Sequence, residues 1–206
     1  MSGVIPPRQK RSEETLARIL AGAYAMLARK DLSEISMEEI AQAGGVSIGA
    51  IYRRFKSRED LLEVLMTDLQ RRQLAALEIE LAPDRWAGKG LAERLDWFVA
   101  RQAEAVSKAP GLVRAVLASA MAPVQREHDE VAGLNAQAAA RLADWLLECG
   151  EEITAPDRQA TARVVVAQLS VSLNLARLYP PTFAPMDPEA VVPILRRNAL
   201  AALTMQ

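Results

Sequence analysis

From Ser12 onward, apolar residues recur at three- and four-residue spacing along nearly the whole chain. Leu16, Ile19, Leu20, Ala23 and Leu27 begin the series and line one face of a helix that ends around Lys30. Ser36 opens a second, short helix, with Glu39 three residues on as its capping-box partner. Gly44 or Gly45 stops it, because glycine takes the left-handed conformation at little steric cost. Ser47 caps a third helix of about two turns. Ser57 and Asp60 start a longer one, which Leu61, Leu62, Leu65, Leu69 and Leu77 carry towards Pro83. After the break at 82–90, helical patterns run over 89–108, 111–122, 125–149, 156–178 and 188–204, separated by proline and glycine. No alternating strand pattern and no internal repeat interrupts them, so the expected fold is all-α.

Composition sharpens this picture in three places. Formal net charge is −1, so any attraction to nucleic acid must come from a local patch rather than from the total. Residues 1–11 supply one candidate, a basic arm holding Pro6, Pro7, Arg8, Lys10 and Arg11 with few apolar residues, which reads as mobile. Cys149 is the only cysteine, which excludes an intrachain disulfide and fits a reducing compartment, the cytoplasm. The first residues lack the apolar core of a signal peptide, and no stretch approaches the length of a membrane span.

Catalytic chemistry finds little to work with. His128 is the only histidine and lies among charged residues on a helix surface, and Cys149 reads as a packed thiol beside Gly150. One histidine and one cysteine make no metal-ligand cluster, and no glycine-rich phosphate loop is present, so neither an enzyme nor a cofactor is expected.

The first half offers a different chemistry. Two short helices joined by a glycine-containing turn and preceded by a longer supporting helix describe a helix-turn-helix. Met37, Ile40, Val46 and Ile51 can bury against the face from Leu16 to Leu27, which leaves Ser47, Ile48, Gly49, Ala50, Tyr52 and Arg53 projecting outward. Small side chains at 49 and 50 allow close approach to base edges. Tyr52 can donate to a phosphate, and Arg53 can reach a phosphate or the O6 and N7 acceptors of guanine. Lys56, Arg58 and the amides at Ser57 stand where a helix N-terminus would meet the DNA backbone.

The stretch SMEEIAQAGGVSIGAIYRRFKSREDLL, residues 36–62, and with it the segment from residue 15, resembles the DNA-binding domain of the TetR family of bacterial transcriptional regulators. The resemblance implies that the third helix enters the major groove and that the start of the fourth grips phosphate. Ser36, Ser47, Tyr52, Lys56 and Arg58 would then be phosphate-side contacts, while Ile48, Gly49, Ala50 and Arg53 would face bases. Two positions depart from the family pattern. Ile48 stands where a polar or basic residue is common, and Asp31 where glycine usually ends the first helix.

The resemblance also gives the remaining helices a task. It implies a domain arrangement of arm (1–11), helix-turn-helix (12–57) and ligand-binding and dimerisation domain (58–206), with 58–82 as the connecting helix. In such a domain a small, largely apolar effector binds between helices. Trp97, Phe98, Met121, Trp145, Tyr179 and Phe183 are candidates to line its site, with Gln102, His128 and Asn174 as polar contacts. Residues 156–178 and 188–204 are apolar on more than one face, so one face can serve the core and another a second copy of the chain. The expected function is a homodimeric regulator of transcription, a repressor released from a palindromic double-stranded operator by that effector. A helical interaction adaptor that has lost DNA affinity is the alternative.

Overall fold

The computed structural model describes residues 7–31, 34–121, 130–178 and 188–205, and among these it is helical without a strand. Ten helices follow one another: α1 (Pro7–Leu27), α2 (Met37–Gly44), α3 (Ile48–Tyr52), α4 (Arg58–Glu80), α5 (Pro83–Trp86), α6 (Leu91–Lys108), α7 (Pro110–Met121), α8 (Glu130–Leu147), α9 (Arg158–Leu178) and α10 (Pro188–Leu203). The expected arm is corrected here, because α1 begins at Pro7 rather than at Ser12 and takes Arg8, Lys10 and Arg11 into its first turns. Proline suits a first helical position, where its missing N–H has no intrahelical partner to lose. Arginine, lysine and glutamine are good helix formers, so apolar content was the wrong guide there.

The chain divides into two compact units. One comprises the chain up to Met66 together with Ala109–Val116, the other Thr67–Lys108 and the chain from Leu117. Helices α4 and α7 each pass from the first into the second.

In the first unit, Ile19, Leu20, Ala23 and Leu27 of α1 are buried, as are Met37 and Ile40 of α2 and Ile51 of α3, while Val46 is only half-buried. Helices α1 and α2 cross backbone to backbone. A Cβ on Gly22 would lie 2.5 Å from the Gly44 nitrogen and 2.6 Å from the Ile40 oxygen, and one on Gly44 would lie 2.5 Å from the Arg18 oxygen. The Arg18 guanidinium spans the end of α2, donating to the carbonyl oxygens of Gly44 at 3.2 Å and of Gly45. Of the two glycines that could end α2, Gly45 does so, at φ 60°. Helix α7 meets the other end of α1, where Gly111 faces the carbonyls of Leu27 and Lys30. Beside it, Arg114 donates to Asp31 at 2.5 Å. Asp31 is therefore an ion-pair partner, and no non-glycine residue among those described has positive φ.

In the second unit, side-chain pairs set the helices in register. Arg71 of α4 pairs with Glu130 at the start of α8, and Glu78 with Arg141 at 3.5 Å, so α4 and α8 run in the same direction. Arg94 near the start of α6 pairs with Glu148 beyond the end of α8 at 3.0 Å and donates to the Trp145 carbonyl, which brings those two helix ends together. One continuous apolar cluster joins Leu77 and Leu81, Leu91 to Val99, Leu142 to Leu146 and Ala162 to Leu173. The amides of Thr154 and Ala155 donate to the Leu203 carbonyl at 3.0 and 3.2 Å, which closes α10 onto the link before α9.

Two glycine substitutions separate packing from helix propensity. Gly22→Ala should destabilise the protein by about 1–3 kcal/mol or more, since the new methyl meets backbone atoms that cannot rotate away. Gly133→Ala, in the interior of α8 with nothing within 4 Å of the added carbon, should stabilise it by about 0.5–1 kcal/mol. Urea denaturation followed by circular dichroism measures both.

Candidate functional site

Local hydrogen bonds fix the front of the first unit. Ser36 and Glu39 form the full capping box: the hydroxyl accepts from the Glu39 amide at 3.1 Å, and the Glu39 carboxylate accepts from the Ser36 amide at 2.9 Å. The Lys30 ammonium, 2.6 Å from Glu39, holds that carboxyl below its usual range, and the Ser36 amide adds to the effect. A depressed carboxyl pKa stabilises the fold above the unfolded value and loses that contribution as pH falls through the folded one, so the box is intact at neutral pH. Ser47 caps α3 by accepting from the Ala50 amide at 3.2 Å. Both serine hydroxyls keep their own proton available to donate.

Between these caps α3 is anchored by Ile51, which is fully buried, and it turns Tyr52, 52% exposed, outward. Ser36, Ser47, Gly49, Arg53 and Lys56 are exposed and Ala50 half-exposed. Ile48 is half-buried rather than fully projecting, and Arg58 is likewise partly covered. Eight of the nine positions expected to meet DNA fall between Ser47 and Arg58, with small residues at 49 and 50 flanked by hydroxyls and cations, and Ser36 stands apart at the start of α2.

One detail of the expected phosphate grip differs. The amides of Lys56 and Ser57 both donate to Asp60 Oδ2, at 3.0 and 3.1 Å, while the Asp60 amide donates to the Ser57 hydroxyl at 3.1 Å. The capping box that starts α4 therefore already occupies the amides expected to be free at Ser57. Lys56 and Arg58 are the cationic side chains at this end.

In the second unit the expected lining residues have separate placements. Trp97 and Trp145 pack with Trp86 in a mutually edge-on trio, with ring centroids 4.6 to 5.4 Å apart, and Phe98 is buried in the same cluster. These rings fill the core against one another. Gln102 donates to the Ser170 hydroxyl at 3.3 Å, which ties α6 to α9, and Asn174 is buried one turn further along α9 with its Oδ1 unpartnered. His128, Tyr179, Phe183 and the side chain of Met121 lie outside the described residues. Cys149 is half-buried, and burial pushes its thiol pKa up, away from the reactive thiolate.

Sequence reading missed Gln70. It is 1% exposed, and both oxygen and nitrogen of its carboxamide lack a partner among the described residues. A signal was present, because Met66, Gln70, Leu77 and Leu81 share one helical face and three of the four are apolar. Buried beyond the end of the continuous cluster, with Val106 and Val131 also outside it, Gln70 marks the end of the unit opposite the tryptophans.

Among the described residues no group of three or more histidine, cysteine, aspartate or glutamate side chains could hold a metal ion. Nor, among the described residues, is any helix long and apolar enough to cross a membrane.

Known proteins resemble the chain in both sequence and fold. Residues 19–65 match the sequence model described as bacterial regulatory proteins, tetR family. The HTH-type transcriptional regulator AcrR of Shigella flexneri is 35% identical over 72 residues, which cover 35% of this chain and 33% of that protein. Matches to curated relatives span only 32% to 38% of those proteins' lengths. The fold match is wider. A TetR transcription regulator from Haloarcula marismortui superposes with a TM-score of 0.64 at 17% identity, covering 93% of this chain and 97% of that one. RolR in complex with its ligand resorcinol gives 0.60 at 18% identity over 96% and 91%. Residues 19–65 are thus similar to the tetR family of bacterial regulatory proteins, and the chain as a whole has the fold of solved TetR regulators.

Proposed function

We propose that the protein is a dimeric DNA-binding regulator of transcription, a repressor that a small, largely apolar effector releases from a palindromic operator. The observation that carries this reading is α3 itself. It is capped at Ser47, anchored by the buried Ile51, and turns Gly49, Tyr52 and Arg53 to solvent. Small residues between a phenol and a guanidinium suit a helix lying against base edges and phosphates.

Dimerisation is supported by the outer faces of α9 and α10. Val164, Val171 and Leu175 share one exposed face of α9, and Ile194 is exposed on α10. Two copies joined there would present two α3 helices to two half-sites, which is how a twofold protein reads a palindrome.

The effector's class follows from what the second unit buries. Its buried polar side chains among the described residues are Gln70, Arg94 and Asn174, and the one charge, Arg94, is already engaged by Glu148 and the Trp145 carbonyl. An uncharged molecule with an apolar body and a hydrogen-bonding group matches such an interior better than an anion does. Resorcinol, the ligand of RolR, is of that class. Gln70 and Asn174 are the groups we assign to it, since each has a buried polar atom awaiting a partner.

Three outcomes test these readings. Tyr52→Phe should weaken operator binding by about 0.5–1.5 kcal/mol and Arg53→Ala by about 1–3 kcal/mol, with relaxed preference at one base pair per half-site only where Arg53 contacts a base rather than a phosphate. Fluorescence anisotropy on genomic fragments measures both, and a wild-type protein that leaves DNA unbound would point to the interaction adaptor instead. Val171→Arg should convert a sedimenting dimer to a monomer and lose operator binding with it, because the interface would bury an unpaired charge. Gln70→Leu should raise the melting temperature, since it removes an unsatisfied buried amide, and abolish the response of DNA binding to effector. A lowered melting temperature in that variant would mean the amide is satisfied within the fold.

A further inference from the structure

A cleft of about 350 Å³ opens between α1 and the end of α3, lined by Arg11, Ser12 and Thr15 on one side and Ala50, Arg53 and Arg54 on the other. Three guanidinium groups share this space, and no carboxylate lines it. Arg54 braces it, donating to the Ser12 carbonyl at 3.2 Å and to the Ser12 hydroxyl at 2.8 Å. That fork pins the end of α3 to α1 across 42 residues of sequence. Neither Arg11 nor Arg53 has an ion-pair partner among the described residues, and both are exposed. Like charges held together without a counter-charge repel one another, and an anion shared between them removes the penalty.

We propose that Arg11, Arg53 and Arg54 form a clamp for a DNA backbone phosphate, beside the contacts made by the rest of the exposed face of α3. The inference rests on the reading of α3 as the DNA-contacting helix. Ala50 and Arg53 belong to both surfaces, so a duplex lying along α3 brings its backbone to the mouth of the cleft. A guanidinium fork matches two phosphate oxygens at once. Ser12 acts as the strut that keeps Arg54 in place, and α1, helical through Arg11 rather than a mobile arm, delivers the third cation in a fixed position.

The experiment is the salt dependence of binding to a random-sequence duplex, with the intact protein and anisotropy as readout. Each phosphate contact contributes about 0.9 to the slope of log K against log salt. Arg11→Ala and Arg54→Ala should therefore each make the slope shallower by about that amount, and Arg85→Ala, an exposed cation of the second unit, should leave it unchanged. Because Arg54 also braces the fold, Arg11→Ala, whose side chain has no partner to lose, is the decisive variant. If the wild-type protein binds and Tyr52→Phe weakens it, yet Arg11→Ala and Arg54→Ala keep the full slope, the clamp is overturned while the reading of α3 stands. Failure of the wild-type protein to bind any duplex overturns both.

Discussion

The backbones of α1 and α2 come together at Gly22 and Gly44, closer than any side chain would allow, and the position of α3 follows from that contact. With the two helices this close, Ile19 and Ala23 on one side and Met37 and Ile40 on the other share a thin apolar layer. Ile51 completes it, and in doing so fixes which face of α3 turns to solvent. The Arg18 guanidinium, bound to the carbonyls of Gly44 and Gly45, ties the turn itself to α1. A five-residue helix cannot hold its own conformation in water. Here it does not have to, because the turn before it and the layer beneath it are already set.

Much of the first unit was legible in the sequence because its signals are local. Ser36 with Glu39, Ser47, and Ser57 with Asp60 all cap the helices that their spacing implied. Local signals also mislead where two functions compete for one group. The Ser57 amide looked free for phosphate, yet Asp60, whose place in the capping box was plain, takes it. The start of α1 was misjudged for another reason. Absence of apolar residues argues against burial, and it says nothing against an exposed helix of arginine, lysine and glutamine.

The second unit was less legible, since helix-on-helix packing is decided by residues far apart in sequence. Trp86 lies in a short proline-led helix and was not a candidate for anything. Yet it completes the trio with Trp97 and Trp145, and its indole nitrogen donates to the Glu80 carbonyl at 2.8 Å. Large aromatic residues at helical spacing fit a ligand cavity and a packed core equally well, and only the distances between their rings decide. Gln70 shows the converse. A single polar residue on an apolar face is easily passed over, although an unpaired buried amide is the costlier and hence the more informative feature.

The first unit is not one continuous stretch of chain, because Ala109–Val116 belong to it and are reached only after some forty residues of the second. Gly111 sits against the Leu27 and Lys30 carbonyls, and Arg114 neutralises Asp31. Exchange of the front domain between related regulators by a single crossover would leave these partners in different parents. A hybrid joined after Met66 would inherit Asp31 from one ancestor and the residues at 111 and 114 from the other, and any side chain larger than glycine at 111 would collide with the end of α1. Modular as the two units look, a single crossover after Met66 would separate residues that pack together within the first of them.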